Sequence, residues 1–144
     1  MDIPQTTPTE AHETLSGDAD AVYLDVRSSR EFEAGHPDGA LNVPIAESDG
    51  GGPLSPNPDF LPVVERHLAP ARKILVGCQS GVRSQKACGL LLEAGYTNVT
   101  NVQGGFGGAR DRSGQVLAAG WRDSGLPVAE GAPEARCYAA LKQG

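Results

Sequence analysis

A cysteine lies where a hydrophobic run ends and a glycine-containing turn begins. The stretch KILVGCQSGVRS, residues 73–84, places Cys78 after the apolar run, with Gly81 and Arg83 following it. A short loop between a strand and a helix can turn its backbone N–H groups inward, and the helix dipole adds positive potential. A thiol in such surroundings is favoured as a thiolate, which is a nucleophile. The pattern therefore indicates nucleophilic sulfur chemistry at Cys78.

The spacing between Cys78 and Arg83 separates the chemistries that such a loop can support. A Cys-x5-Arg loop wraps a tetrahedral phosphate in cysteine phosphatases, whereas this chain has the tighter Cys-x4-Arg. The smaller ring favours a single sulfur atom on the cysteine and disfavours phosphate or arsenate chemistry. A structural interpretation also stands, because a free cysteine often packs as a small hydrophobic residue. Gly81, which permits unusual backbone angles, and Arg83 favour the nucleophile.

Composition excludes several classes of protein. The 144 residues are 39% hydrophobic and 21% charged, which is typical of one globular domain. The formal net charge of −6 argues against a nucleic-acid partner. The three cysteines have neither disulfide-framework nor zinc-ligand spacing. Since there is no membrane-length apolar run and no signal-peptide pattern, we expect a cytoplasmic protein without a membrane partner.

Strand-like and helix-like segments alternate along the chain. Four apolar segments are predicted as strands, at residues 21–26, 40–44, 73–78 and 98–103, and four amphipathic segments as helices, at residues 8–15, 28–35, 57–70 and 81–96. This alternation predicts an α/β fold, with a mainly parallel central sheet flanked by helices on both sides. Parallel strands bring their carboxyl ends to one edge, where ligands bind, so we expect Cys78 to face a crevice there.

Several segments together resemble a known family. CQSGVRS, residues 78–84, resembles the active-site loop of single-domain rhodanese-type sulfurtransferases, which carry Cys-x-x-Gly-x-Arg-Ser. YLDVRSSREFEAGHPDGALNVP, residues 23–44, is similar to the second family motif. NVQGGFGG (101–108) and AGWRDSGLPV (119–128) resemble the segments that follow the active-site helix. The resemblance implies a single rhodanese-like domain over residues 1–144, with a core at about 9–128 and a tail at 129–144.

The resemblance also implies an activity, that of a thiosulfate sulfurtransferase. The Cys78 thiolate would take the outer sulfur of thiosulfate or a similar small-molecule donor, releasing sulfite and leaving a cysteine persulfide. The acceptor would be cyanide or a thiol such as thioredoxin or glutathione, and neither a metal nor a cofactor is required. The backbone N–H groups of five loop residues would hold the persulfide: Gln79, Ser80, Gly81, Val82 and Arg83.

A second hypothesis is a rhodanese-fold module that binds or senses persulfide or an oxyanion without turnover. The intact Cys78, Gly81 and Arg83 favour the enzyme, since a purely structural module could have lost the cysteine. Two roles for Arg83 are open: it orients the anionic end of the donor, or it pairs with a nearby carboxylate. Ser80 and Ser84 either hydrogen-bond the sulfur or cap the helix, and capping is favoured.

The remaining polar candidates are interpreted as structural. Arg27 and Glu31 are four residues apart, which predicts an ion pair between them. Asp25 either reaches the crevice or ties down the adjacent turn, and a scaffold role is favoured. His36 is assigned to a turn by the resemblance. Two further histidines are expected to be solvated helix residues, His12 and His67.

Four segments or side chains have no assigned chemistry. Residues 46–59 form a loop rich in glycine and proline that predicts a flap or an insertion. Residues 106–120 are longer than the family pattern and either line the entrance or form a solvated turn. Cys88 is predicted to lie in the core, too far from Cys78 for a disulfide. Cys137 lies in the tail, which we expect to form a short packed helix or to fray.

Overall fold

The computed structural model describes residues 3–48 and 52–143. Five helices are present in this part of the chain: α1 (Pro8–Gly17), α2 (Ser29–Ala34), α3 (Phe60–His67), α4 (Val82–Glu93) and α5 (Tyr138–Leu141). The strands are β1 (Gln5–Thr6), β2 (Val22–Asp25), β3 (His36–Pro37), β4 (Leu41–Asn42), β5 (Ala46–Glu47), β6 (Ser55–Pro56), β7 (Ile74–Gly77), β8 (Val99–Val102), β9 (Ala109–Arg110), β10 (Val116–Ala118) and β11 (Val128–Ala129).

The central sheet contains five parallel strands in the order β1-β8-β7-β2-β4. Strand β7 lies in the middle, and all four of its residues are buried, as are those of β2. Burial on both faces is what the apolar runs at 21–26 and 73–78 predict for a parallel sheet. The carboxyl ends of β2, β7 and β8 therefore meet at one edge, and Cys78 follows β7 at that edge.

Helices cover both faces of this sheet. One apolar cluster joins β2 and β7 to α3, α4 and α5 through residues such as Val64, Leu91 and Tyr138. The other cluster lies on the opposite face and contains Phe32 of α2 and the buried Trp121. The predicted fold class is thus confirmed. The short α5 packs on the body of the protein, because Tyr138 and the end of α5 are buried in the first cluster.

The four predicted strands and four predicted helices are all present, with ends shifted by a few residues. The sequence analysis did not predict the pairs of short strands that come from distant segments of the chain. The edge strand β1 pairs with β8, and three antiparallel pairs form, β3 with β11, β5 with β6, and β9 with β10. The 46–59 loop holds the β5–β6 pair, while residues 49–51 lie outside the described residues.

The two helix histidines are only partly exposed and each contacts a distant segment, so the prediction of solvated side chains is wrong. The Nε2 atom of His67 lies 2.6 Å from the carbonyl oxygen of Leu141 and donates to it, tying α3 to α5. The ring of His12 meets Trp121 edge to face, with 5.7 Å between the ring centroids. In both cases a distant segment covers a helix face that the local pattern leaves exposed.

Candidate active site

Cys78 lies at the carboxyl end of β7 and is 1% exposed. The backbone N–H of Gly81 donates a hydrogen bond to its Sγ atom over 3.1 Å. Gly81 is the N-cap of α4 and has a φ of 113°, in the left-handed region that favours glycine. The helix therefore begins directly at the thiol, and its dipole is directed toward the sulfur.

A glycine-rich segment holds the loop from behind. The N–H groups of Phe106 and Gly107 donate to the carbonyl oxygens of Cys78 and Gln79, over 2.8 and 2.9 Å. Gly105, at a φ of 50°, allows this close approach, because a Cβ there would lie 2.8 Å from the carbonyl carbon of Cys78. The carbonyl groups of Cys78 and Gln79 are thus bonded to the glycine-rich segment.

The second contact of the thiol is with a buried hydroxyl. Ser84 Oγ lies 3.4 Å from Cys78 Sγ and 2.5 Å from Asn101 Oδ1. No side chain caps the start of α4, so the favoured capping role of Ser80 and Ser84 is wrong. The reason is local: the left-handed Gly81 takes the cap position, which leaves Ser84 inside the helix facing β8.

A buried ion pair supports the neighbouring turn. The Asp25 carboxylate accepts hydrogen bonds from the Arg27 side chain, with 2.7 Å between Oδ2 and Nη2, and from the Arg27 backbone N–H over 3.0 Å. Arg27 also donates to the carbonyl oxygen of Gly35 over 2.7 Å. The predicted Arg27–Glu31 pair is therefore wrong. Arg27 precedes the start of α2, so helical i, i+4 geometry does not apply to it.

Glu31 instead pairs with Arg83 of the cysteine loop. Two parallel hydrogen bonds of 2.7 and 2.8 Å join the guanidinium to the carboxylate. Partial burial opposes ionisation of Glu31, but the bonds from Arg83 and Ser28 outweigh it and lower the pKa of Glu31 to about 2. Of the two roles that the sequence leaves open for Arg83, the structure favours pairing with a carboxylate.

This pair predicts an acid-dependent loss of stability. Because the folded-state pKa of Glu31 lies below its ordinary value, the stabilisation is present above about pH 4.5 and is lost as the pH falls toward 2. After discounting for solvent screening, we expect about 1–2 kcal/mol more acid destabilisation in the wild type than in Glu31→Gln. Urea unfolding between pH 3 and pH 7 measures this difference. Glu33→Gln, on the exposed side of the same helix, should behave as the wild type, and parallel pH curves for wild type and Glu31→Gln would contradict the assignment.

An open crevice of about 410 Å³ adjoins the cysteine loop. It is lined by Arg27, Glu31, Ala34, Gly35, Gln79, Phe106 and Arg122. Two guanidinium groups lie over the Phe106 ring, whose centroid is 4.5 Å from Cζ of Arg27 and 5.2 Å from Cζ of Arg122. The sequence analysis missed Arg122, and only its place after the family-like Trp121 could have indicated it.

Arg122 differs from Arg27, which also lines the crevice, and from Arg83 of the cysteine loop. Arg27 and Arg83 are each paired with a carboxylate, whereas within residues 3–48 and 52–143 Arg122 forms no salt bridge. Its side chain packs on Phe106 and is exposed to solvent. Arg122 is therefore a cation of the crevice that forms no salt bridge with a carboxylate in the described residues.

Among residues 79–83 of the described chain, Gly81 alone forms a hydrogen bond with the Cys78 sulfur. Gln79 is exposed and accepts a hydrogen bond from Arg27 over 3.4 Å, and Val82, the first residue of α4, is exposed. Cys88 is buried, as predicted, and burial raises its pKa to about 12. Cys137 is partly buried and has no chemical partner in the described part of the chain.

Comparison with known proteins identifies the family. A model of the rhodanese-like domain matches residues 7–111. Thiosulfate sulfurtransferase 16, chloroplastic, of Arabidopsis thaliana is 43% identical over 120 residues, which are 83% of this chain and 88% of that protein. The senescence-associated protein DIN1 of Raphanus sativus is 37% identical over 128 residues, 89% of this chain but 62% of that protein. The chain therefore belongs to the rhodanese-like family, as its motifs predict.

A solved structure supports the same conclusion. The crystal structure of Rv0390 from M. tuberculosis superimposes with a TM-score of 0.76 at 35% identity, covering 91% of this chain and all of that one. The order of strands and helices described above is thus that of a rhodanese fold.

In the described part of the chain, no helix has both the length and the apolar character to cross a membrane. The cytoplasmic location stays a prediction.

Proposed function

We propose that this protein is a sulfurtransferase that carries sulfane sulfur as a persulfide on Cys78. The observation that carries the proposal is the pairing of Cys78 Sγ with the Gly81 N–H at the start of α4. A backbone donor and a helix N-terminus stabilise negative charge on sulfur, both in the thiolate and in a persulfide anion. The relatives named thiosulfate sulfurtransferase support thiosulfate as the donor.

The proposed reaction has two steps. The Cys78 thiolate attacks the outer sulfur of thiosulfate, a new S–S bond forms, and the old S–S bond breaks with its electron pair leaving on sulfite. A thiolate acceptor, of the glutathione or thioredoxin kind, or cyanide, then attacks the outer sulfur of the persulfide. The acceptor leaves as a persulfide or thiocyanate, and the Cys78 thiolate is restored. No proton or electron is needed from outside.

We propose that Arg122, and not Arg83, attracts the anionic end of the substrate. Arg83 is held by both oxygens of Glu31, and Arg27 is held by Asp25. Arg122 lines the same crevice as Gln79, which is one residue beyond Cys78. On a chain with a net charge of −6, an unneutralised cation at this place counteracts the repulsion of a dianion.

Removal of this cation should weaken binding more than it slows the reaction. For Arg122→Ala we expect KM for thiosulfate to rise about tenfold with kcat nearly unchanged, because a binding contact equal in ground and transition state is lost. The increase should shrink at high salt. Arg112→Ala, which removes the same charge from the exposed hairpin, is the matched control. Equal KM changes in the two variants would exclude a specific role for Arg122.

The proposed activity is tested by intact-mass spectrometry. Purified protein is mixed with thiosulfate, and cyanide is added afterwards, beside Cys78→Ala. We expect a gain of one sulfur atom that requires Cys78, disappears with cyanide and yields thiocyanate over repeated cycles. A persulfide that forms once without turnover would favour the binding or sensing module. No gain with thiosulfate would exclude this donor, and polysulfide or an organic persulfide would then be tried.

A further inference from the structure

A chain of hydrogen-bonded side chains leads from the exposed Gln5 of the amino-terminal strand through the buried Asn101 and Ser84 to the thiol. Asn101 of β8 is 4% exposed, and its Nδ2 atom donates to the Oε1 atoms of Gln5 and Gln85 over 2.9 and 3.0 Å. On its other side, Asn101 Oδ1 accepts from Ser84 Oγ over 2.5 Å. Ser84 in turn lies against Cys78 Sγ. Two of these side chains, Asn101 and Ser84, are buried polar groups, so their hydrogen bonds must be satisfied within the protein.

Backbone carbonyls fix the orientation of the Gln5 and Asn101 amides. Gln5 Nε2 donates to the carbonyl oxygen of Ile3 over 3.1 Å, and a carbonyl can only accept. Gln5 Oε1 must therefore face Asn101, which places the amide nitrogen of Asn101 toward Gln5 and its oxygen toward Ser84. A second carbonyl agrees, since Gly81 O lies 3.5 Å from Asn101 Nδ2. The orientation of the Asn101 amide is thus set by groups that cannot be reversed.

Ser84 has one hydroxyl proton for two neighbours. The contact with Asn101 Oδ1 is 2.5 Å and the contact with Cys78 Sγ is 3.4 Å, and an amide oxygen is the stronger acceptor. The proton therefore lies toward Asn101, and Ser84 presents a lone pair to the sulfur. A lone pair can accept a hydrogen bond from a thiol S–H, but it provides no hydrogen-bond donor to stabilise a thiolate.

We infer that Asn101 is a positioning residue that keeps the Ser84 proton away from Cys78 and thereby limits ionisation of the thiol. The Gly81 N–H and the helix dipole favour the thiolate, and the Asn101–Ser84 contact opposes them. This balance gives a more basic sulfur, and a more basic thiolate is the more reactive nucleophile once it has formed. The inference concerns the free thiol, so it holds whether or not the proposed function is correct.

The ionisation of Cys78 can be tested in a pH range in which its titratable neighbours do not change charge. Three titratable groups that interact electrostatically with Cys78 are Tyr23 on β2 and Cys88 and Arg83 on α4. Burial raises the pKa of Tyr23 and of Cys88, and the hydrogen bonds of Glu31 raise that of Arg83. None of the three changes charge between pH 6 and pH 10.

The experiment measures the rate of alkylation at Cys78 from pH 6 to pH 10, using iodoacetamide and peptide mass spectrometry to separate the three cysteines. In Asn101→Ala the freed Ser84 hydroxyl turns to the sulfur, and we expect the thiolate to be favoured about tenfold, so the midpoint falls by about one pH unit. Each thiolate should react about threefold more slowly. The profiles of variant and wild type should therefore cross, the variant being faster at low pH and slower at high pH.

Three further variants separate positioning from general loosening of the fold. In a Ser84→Ala background, Asn101→Ala should leave the midpoint unchanged, because the proton that it releases is absent. Asn101→Asp keeps an acceptor toward Ser84, so its midpoint should not fall. Gln5→Ala removes the exposed end of the chain without risk to the core, and about a twofold change in the same direction as Asn101→Ala is expected. A rate reduced equally at every pH, or a shift that persists without Ser84, would overturn the inference.

Discussion

Replacement of Asp25 by asparagine is expected to lower the free energy of unfolding by about 3–5 kcal/mol. The carboxylate is 1% exposed and accepts three hydrogen bonds from the Arg27 side chain and one from its backbone N–H. Asparagine has nearly the same shape, but it leaves the Arg27 cation buried without a counter-charge and turns an amide donor toward it. Urea unfolding measures the loss, which is a large part of the stability of a domain of this size.

A double-mutant cycle tests whether the charge is the cause. Asp25→Asn combined with Arg27→Met removes both charges, so the double variant should be more stable than Asp25→Asn alone. Glu31→Gln is the comparison, since its ion pair with Arg83 is about one quarter to one third exposed and should contribute less. A loss below about 1 kcal/mol in Asp25→Asn would mean that this pair behaves as a surface pair, contrary to its burial.

Sequence patterns predicted the sheet and the position of the thiol because both depend on local signals. A fully apolar run, as in β2 or β7, predicts a strand buried on two faces, and a cysteine at its end must lie at the carboxyl edge. Gly81 was correctly selected as the residue with unusual backbone angles, and its φ of 113° confirms that prediction. The family motifs placed these signals in one fold.

The partners of polar groups could not be predicted, because they depend on which segments meet. The i, i+4 spacing of Arg27 and Glu31 suggested one pair, yet each side chain bonds a different residue. Asn101 carried a detectable signal, a polar residue in a buried strand that ends beside the site, and the sequence analysis left it unused. Gln5 carried none, since its role follows from the pairing of β1 with β8 across 96 positions in the chain.

Replacement of Gly105 by alanine should reduce sulfur transfer at least a hundredfold. The new Cβ would lie 2.8 Å from the carbonyl carbon of Cys78 and 3.0 Å from that of Gln79, and both are backbone atoms that cannot rotate away. The loop must therefore separate from Phe106, whose N–H now holds the Cys78 carbonyl over 2.8 Å. A displacement of about 1 Å at a reacting group is enough for a loss of this size. Initial rates of thiocyanate formation measure it.

The matched control isolates the steric cause. Gly114 also has a positive φ, of 87°, but a Cβ there would meet no atom within 4 Å. Gly114→Ala should therefore cost only the backbone strain, about 1–2 kcal/mol of stability, with sulfur transfer unchanged. Gly105→Ala adds overpacking against the loop and should lose a further 1–3 kcal/mol or so. If Gly105→Ala transferred sulfur as fast as Gly114→Ala, the glycine segment would not set the position of Cys78, and the rate would depend on α4 alone.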